Sequence, residues 1–376
     1  MITVRPGSHM YFVLKLLSVS GEFPSRSLGI LGDVRTVKAM VHKMENARKI
    51  RLSTGDISET KLFQLSGKWN NRTVRLTKNA IALLNDIHPD APGYYLDSFP
   101  DNRFSGNEFI INRNHRVGEA LAMCMKAGIE TAPYMLPELQ KEFIRHVIPE
   151  APGYYTARNF KKIYEAELRK TIFTRVVGLL FYPRGCYAVY NTRDTVMKLS
   201  GLGEIKTRHE LSEIVRMNAG LADVTSALLF GNNENIALRT LIESDKTRKS
   251  KDRFDKIYLH IHFVPLNQNG IDLLKILTLP DWHEKLMSVL FSPESRATDH
   301  SSIDYDAYLE SQYYYSHLDG DIARLIQFKE TLQTREDSFE VLCFPWQVQF
   351  LQDYLGKAES LRKIEMPVLL KALGIE

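Results

Sequence analysis

Apolar residues recur every three or four positions between Val34 and Ala47, so they fall on one face of a predicted helix. Asp33 precedes this stretch and predicts an N-cap, and we expect the helix to run to about Arg48. The opposite face is polar and mostly basic, and it carries Arg35, Lys38, His42, Glu45 and Lys49. A helix with such a face is suited to the major groove of duplex DNA.

The elements around this helix predict a winged-helix module over residues 11–88. Two further helices come first, and they are predicted at 11–20 and 24–31. Short strands follow at 50–54, 61–65 and 73–76, and Thr77 is expected to cap a closing helix. The order helix, helix, helix, hairpin, helix is typical of a winged-helix domain, whose third helix reads DNA.

The predicted DNA contacts lie on the third helix and on the turn of the hairpin, which would form the wing. On the helix they are Arg35, Thr36, Lys38, His42 and Lys43. At the wing they are Lys68, Trp69, Asn70, Asn71 and Arg72. The net charge is +7 over residues 11–88 and −4 over 89–376, which favours double-stranded DNA as the partner of this module alone. Docking of a protein is the alternative, because small helical domains with a hairpin also serve as docking modules and a basic helix face is often only a solvated surface.

The rest of the chain predicts a helical region and then a mixed domain. Residues 89–170 are expected to form a linker with a helical region, including a helix at 113–127. From 171 to 376, predicted strands alternate with predicted helices, beginning with a β-hairpin of buried strands at 173–191, which indicates an α/β domain. A degenerate nuclease-like form of this domain is implied only by the family resemblance given below. The fold class of the whole chain is therefore α+β. Residues 1–10 look like the remnant of an expression tag and are set aside.

A short motif occurs twice in this part of the chain. The tetrapeptide Pro-Gly-Tyr-Tyr occurs at 92–95 and again at 152–155, each time after an Ile-x-Pro or Ile-Pro segment. The surrounding residues match too poorly for a solenoid repeat. We therefore interpret the two copies as similar helix exits capped by a Pro-Gly turn, with a repeated docking loop as the alternative.

Composition indicates a soluble globular protein, with 44% hydrophobic and 25% charged residues. No apolar run approaches the roughly 20 residues of a membrane span, and no signal-peptide pattern is present, so we expect a cytoplasmic protein without a membrane partner. The cysteines are few and far apart, which favours buried free thiols over disulfides or a cysteine-built zinc site. They are Cys124, Cys186 and Cys343.

The sharpest catalytic candidates are Asp194, Glu204 and Lys206. Restriction-type nucleases use one carboxylate followed by Glu-x-Lys, because two carboxylates hold Mg²⁺ and the lysine assists the attacking water. Glu-x-Lys also occurs often by chance, so an ordinary solvated charge cluster is the alternative. Mg²⁺ is expected only under the nuclease hypothesis, and no other cofactor is indicated.

Two histidines provide a second candidate site. His260 and His262 alternate along a predicted strand and should point to the same face. A metal or phosphate site would need another ligand, for which His283 and His300 are the candidates, whereas packing under a helix is the commoner outcome. A tyrosine-rich stretch is interpreted as packing or interface residues, and it comprises Tyr305, Tyr308, Tyr313, Tyr314 and Tyr315.

Four segments resemble the replication-relaxation family of plasmids and conjugative elements. They lie at 73–80, 114–116, 175–180 and 187–192. The resemblance implies a DNA-binding accessory protein of a mobile element that acts in plasmid replication, DNA relaxation or conjugative transfer. The C-terminal domain would then mediate self-association or recruit other transfer or replication proteins. A metal-dependent nuclease or relaxase, and a transcription repressor of the same element, are the alternatives.

Overall fold

The structure is a computed structural model of the chain, and part of the chain is described. The described residues are 2–51, 55, 57–68, 71–139, 151–161, 172–197, 202–219, 221–246, 257–297, 305–334, 338–356 and 360–375. They form two compact units, which consist of 1–138 with 153–159 and of 139–152 with 160–376. Both units combine helices and strands, so the coarse prediction of an α+β protein is confirmed.

The first unit contains seven strands and the helices that pack on them. Its described elements are β1 (Ile2–Thr3), α1 (His9–Ser20), β2 (Glu22–Pro24), a 3₁₀ helix (Ser25–Leu31), α2 (Val34–Met44), β3 (Arg48–Arg51), β4 (Ile57–Thr60), β5 (Phe63–Ser66), β6 (Thr73–Leu76), a 3₁₀ helix (Lys78–Asp86), α3 (Ala91–Ser98), α4 (Glu108–Lys126) and β7 (Gly153–Thr156). The short helix α5 (Ala157–Lys161) follows.

Two small sheets organise this unit. Strands β2, β6 and β5 form an antiparallel sheet in that order, and β1, β3 and β4 form another. Helix α4, predicted as part of a helical linker, packs on α1 and on β2. The residues set aside as a tag supply β1 and the first turn of α1, where the Ser8 hydroxyl accepts the Tyr11 N–H.

The second unit carries two further sheets. Its described elements are β8 (Val176–Tyr182), β9 (Gly185–Arg193), α6 (Leu202–Ile214), β10 (Ser226–Gly231), α7 (Glu234–Lys246), β11 (His260–Pro265), α8 (Gln268–Leu277), α9 (Trp282–Leu290), β12 (Ala307–Leu309), β13 (Gln312–Ser316), α10 (Ile322–Leu332), β14 (Phe339–Cys343), α11 (Val348–Leu355), β15 (Ser360–Lys363) and α12 (Met366–Ala372).

The strands of this unit are mostly parallel. Strand β10 lies between β9 and β11 and is parallel to both, while β8 and β9 form the predicted antiparallel hairpin. In the other sheet β13, β14 and β15 are parallel, and β12 pairs antiparallel with β13. Strands that are covered on both faces need continuous apolar runs, and β8 and β10 have them.

Several sequence predictions were wrong in detail. The third helix ends at Met44 rather than near Arg48, because the chain turns there into β3 and the Met44 carbonyl accepts the Leu62 N–H. The helices predicted at 24–31 and after Thr77 are 3₁₀ helices in the structure. Strands β2 and β4 were not predicted. Thr77 does not cap a helix, because its hydroxyl donates to the Lys61 carbonyl instead.

The repeated tetrapeptide adopts two different structures. At 92–95 it lies in helix α3, whereas at 153–155 the same residues lie in strand β7. Tyr95 in the first copy and Tyr154 in the second are both buried, although they hold different positions in the tetrapeptide. The interpretation of two helix exits was wrong for the first copy, which begins helix α3, whereas residues 140–150, which precede the second copy, lie outside the described residues.

The three cysteines are free and buried, as predicted. No helix within the described ranges is both long and apolar enough to cross a membrane.

Candidate DNA-binding surface

Helix α2 is held to the first unit by one apolar face. Asp33 caps it as predicted, because its carboxylate accepts the Thr36 N–H at 2.9 Å and the Thr36 hydroxyl at 2.7 Å. Val37, Val41 and Met44 are buried, and the helix packs against the 3₁₀ helix Ser25–Leu31 and against β5. Every third or fourth residue therefore anchors the helix and the remaining positions face outward.

The outward face of α2 is basic. Arg35, His42 and Lys43 are exposed and Lys38 is half-buried. His42 Nδ1 lies 2.9 Å from the Glu45 carboxylate, which offsets part of the charge at the end of the helix. Arg35 and Lys38, near its start, are the cations that the helix presents furthest from this carboxylate.

The predicted wing follows β5 and leads into β6. Lys68 and Arg72 are exposed there, whereas the Asn71 amide donates to Glu108 at 3.0 Å and is tied to the start of α4. Trp69 and Asn70 lie outside the described residues. The structure therefore shows the base of this hairpin and two of its cations.

A buried polar network fixes β6 against the rest of the unit. The Arg75 guanidinium donates to the buried Glu22 carboxylate at 3.0 and 2.7 Å, and Asn114 donates to the same carboxylate at 2.7 Å. Beside this network, His115 follows Asn114 on α4, and its Nε2 is 2.8 Å from the Thr73 hydroxyl of β6. Helix α4 therefore holds the hairpin in place, a positioning role that the sequence analysis did not foresee.

Strand β3 adds basic residues that were missed. Arg48, Lys49 and Arg51 are exposed, and only Ile50 is buried. The sequence analysis ended α2 near Arg48, placed Lys49 on its outer face and began the following strand only at Ile50, and it named none of these residues as DNA contacts. The alternation of one buried isoleucine with basic residues is the strand signal that could have identified them.

The three catalytic candidates lie in the second unit in different settings. Glu204 is buried in α6, where Arg175 donates to it at 2.9 Å and the Tyr190 hydroxyl at 3.3 Å. Burial raises the pKa of Glu204 and outweighs the lowering by Arg175. Lys206 is exposed two residues further along the same helix and therefore points in nearly the opposite direction. The structure thus places the carboxylate and the amine on opposite faces.

Asp194 is exposed just after β9 and accepts a hydrogen bond from the Asn232 amide. It borders a cleft of about 490 Å³ that is lined by Asp194, Thr195, Val196, Arg239, Ile242, Glu243 and Lys246. The lining combines two carboxylates with two cations, so it does not select a ligand of one charge.

His260 and His262 lie on one face of β11, as predicted, with nearly parallel rings whose centroids are 6.2 Å apart. His260 Nδ1 lies 2.7 Å from the buried Asp321 carboxylate, and His262 Nδ1 donates to the Asp319 carbonyl at 3.0 Å. The hydrogen bond with Asp321 raises the pKa of His260. Both rings are therefore held by the segment that precedes α10.

Asp321 is the centre of this cluster. Its carboxylate also accepts the backbone N–H groups of Ile261, Ala323 and Arg324, at 3.0, 3.0 and 3.2 Å, so it caps α10 and binds β11 together. Burial alone would raise the pKa of Asp321, but the hydrogen bond from His260 and the nearby imidazoles lower it well below its usual range. Gly320 permits this approach, because it has a φ of 69° and a Cβ there would come within 2.9 Å of the Phe263 carbonyl.

The remaining candidates do not complete a metal site in the described part of the chain. His283 is exposed and its ring lies against Trp282, with centroids 5.4 Å apart, while His300 lies outside the described residues. Among the residues that the structure describes, no group of three or more His, Cys, Asp or Glu side chains could hold a metal ion. Tyr313 packs on Tyr305, Tyr308 and Phe339, which agrees with the interpretation of the tyrosines as packing residues.

Comparison with known proteins finds no match among protein-family models, among curated proteins or among solved structures.

Proposed function

We propose that the first unit binds double-stranded DNA, with the outward face of α2 in the major groove. The observation that carries this proposal is the exposure of the basic residues of α2 on a helix whose other face is anchored in the core. A helix of this kind fits the major groove, and Arg and Lys are the side chains that contact guanine and phosphate there.

The arrangement of the elements also supports the proposal. Strand β2 and the β5–β6 hairpin form one antiparallel sheet beside α2, which is the arrangement expected of a winged-helix module. Lys68 and Arg72 would then contact phosphates next to the groove. Thr36 has a lesser role than the sequence suggested, because its hydroxyl and N–H both donate to Asp33.

Fluorescence anisotropy with a labelled duplex over a range of salt concentrations tests this proposal. The association constant K falls as salt is added, and each phosphate contact contributes about 0.9 to the steepness of log K against log salt. Replacing Arg35 and Lys38 by alanine should therefore make this dependence shallower by up to about 2. The matched control replaces two exposed lysines of the second unit, Lys285 and Lys371, by alanine. Equal slopes for the two double variants would refute the assignment of α2.

We further propose that the chain serves a mobile genetic element as a DNA-binding accessory protein, in replication, relaxation or transfer. The support is the resemblance of four sequence segments to the replication-relaxation family. A plasmid-wide map of where the protein is bound tests it: occupancy at an origin of replication or transfer is expected, whereas occupancy at promoters alone would favour a repressor.

The nuclease alternative has less support, since Glu204 is buried against Arg175 and Lys206 faces away from it. Nicking of supercoiled plasmid in the presence of Mg²⁺ that disappears in both Asp194→Asn and Glu204→Gln would nevertheless favour it.

A further inference from the structure

The β3–β4 hairpin carries a second basic surface in the first unit. Between Arg35 and Arg51 the sequence has six Lys and Arg residues against one acidic residue, Glu45. Three of the six lie on β3 rather than on α2, and all three are exposed. Half of the Lys and Arg residues of this segment therefore lie on strand β3 and not on helix α2.

The geometry of the hairpin sorts these side chains onto two faces. Strand residues alternate, so Ile50 points to the core, and Lys49 and Arg51 point away from it. Antiparallel pairing places Glu59 opposite Lys49 and Ile57 opposite Arg51. Among the described residues of the hairpin, the outward face therefore carries two cations, one carboxylate and an isoleucine that is 58% exposed.

The start of the hairpin is attached to the end of α2. Three residues separate Met44 from Arg48, and the Arg48 guanidinium donates to the Lys43 carbonyl at 3.5 Å, in the last turn of the helix. The start of β3 therefore lies next to the last turn of α2. When α2 lies in a groove, the outward face of β3 is therefore carried alongside it.

We propose that Lys49 and Arg51 on the outward face of the β3–β4 hairpin bind the phosphate backbone of the duplex beside the groove that α2 enters. This inference rests on the proposed DNA binding and extends it to a surface outside the recognition helix and the predicted wing. The exposed Ile57 packs against deoxyribose in this arrangement, and Glu59 weakens the contact by repelling the phosphates.

Salt-dependent anisotropy of the full chain tests the assignment. Lys49→Gln combined with Arg51→Gln should make the fall of log K with log salt shallower by about 2 and weaken binding about tenfold at low salt. The double variant Lys285→Gln with Lys371→Gln is the control for a general loss of charge. Glutamine removes the charge and keeps a polar side chain at these exposed positions. Unchanged far-UV circular dichroism verifies the fold.

A charge change of the opposite sign keeps the test independent of any loss of folding. Glu59→Gln removes a carboxylate from the outward face, so the duplex should bind more tightly, and the fall of log K with log salt should steepen by up to about 1. Unchanged affinity in this variant, together with a Lys49→Gln and Arg51→Gln variant that behaves like the control, would overturn the assignment of the hairpin.

The outcomes separate this inference from the proposal on which it rests. Loss of binding in Arg35→Ala with Lys38→Ala, but not in the hairpin variants, would refute the hairpin contact and leave α2 as the DNA-binding helix. A parent protein that binds no duplex at any salt concentration would refute both.

Discussion

In α2 and β3 of the first unit most basic side chains are exposed, whereas around β11 of the second unit the ionisable side chains are hydrogen-bonded to one another. Arg35 and Lys49 face outward, while Asp321 is fully buried with His260 and three backbone N–H groups as its partners. The two regions are similarly rich in charge. The difference shows that the setting, and not the number of ionisable residues, decides whether a charge is available to a partner or is used by the fold.

The largest effect should come from removing the centre of the buried cluster. Asp321→Ala leaves His260 and the start of α10 without their acceptor, and breaking a buried pair from one side costs about 3–5 kcal/mol. Urea unfolding followed by tryptophan fluorescence measures it, since Trp282 packs on His262 in the same cluster. Asp353→Ala on the exposed face of α11 is the control and should change the free energy of unfolding by less than about 0.5 kcal/mol.

Acid should destabilise the protein through His317. Burial lowers the pKa of this histidine to about 4, from its ordinary value near 6.5. The unfolded chain therefore binds a proton that the folded chain excludes, and stability should fall as the pH drops from about 6.5 to 4, by about 3 kcal/mol in total. Urea midpoints measured across this range should fall less steeply in His317→Phe than in the parent.

His260 should act in the opposite sense. Its pKa is raised by Asp321, so its contribution to stability is complete below pH 6.5 and is lost as the pH rises through its folded value. In His260→Gln, the free energy of unfolding should therefore no longer fall as the pH rises through this range. If His317→Phe and His260→Gln showed the same dependence of the free energy of unfolding on pH, neither histidine would titrate as its surroundings in the fold require.

A smaller effect is expected for the buried charge of the first unit. Glu22→Gln leaves the hydrogen bonds of Arg75 with a neutral acceptor and should cost about 2 kcal/mol, because bonds to a charged group are the stronger ones. Duplex affinity should fall as well, since β6 loses part of its attachment to α4. A variant that is destabilised but binds DNA normally would show that the position of the hairpin does not matter for binding.

The smallest effect on stability should come from the surface on which the function depends. Arg35→Ala with Lys38→Ala should change the free energy of unfolding by less than about 0.5 kcal/mol while it weakens DNA binding. Thermal unfolding of the variant beside the parent measures the first quantity. A marked loss of stability would mean that these cations belong to the fold, as the charges around Asp321 do.

The candidate surface could be predicted from the sequence in part. The cap at Asp33 and the buried positions Val37, Val41 and Met44 were predicted correctly, because they depend on neighbours within one or two turns. The end of the helix was not, because the Met44 carbonyl is satisfied by Leu62, which is distant in sequence. Without that contact Arg48 and Lys49 were assigned to the end of the helix, and β3 was predicted to begin two residues late, at Ile50.

By itself the sequence determined the apolar positions of α2, the β8–β9 hairpin, and the common face of His260 and His262. Only the tertiary structure decided that Pro-Gly-Tyr-Tyr is helical in α3 and extended in β7, and that Asp321 and Glu22 are the partners of His260 and Arg75. The physical reason is distance along the chain. Periodicity and capping act between close neighbours, whereas burial and ion pairs depend on which remote segments pack together.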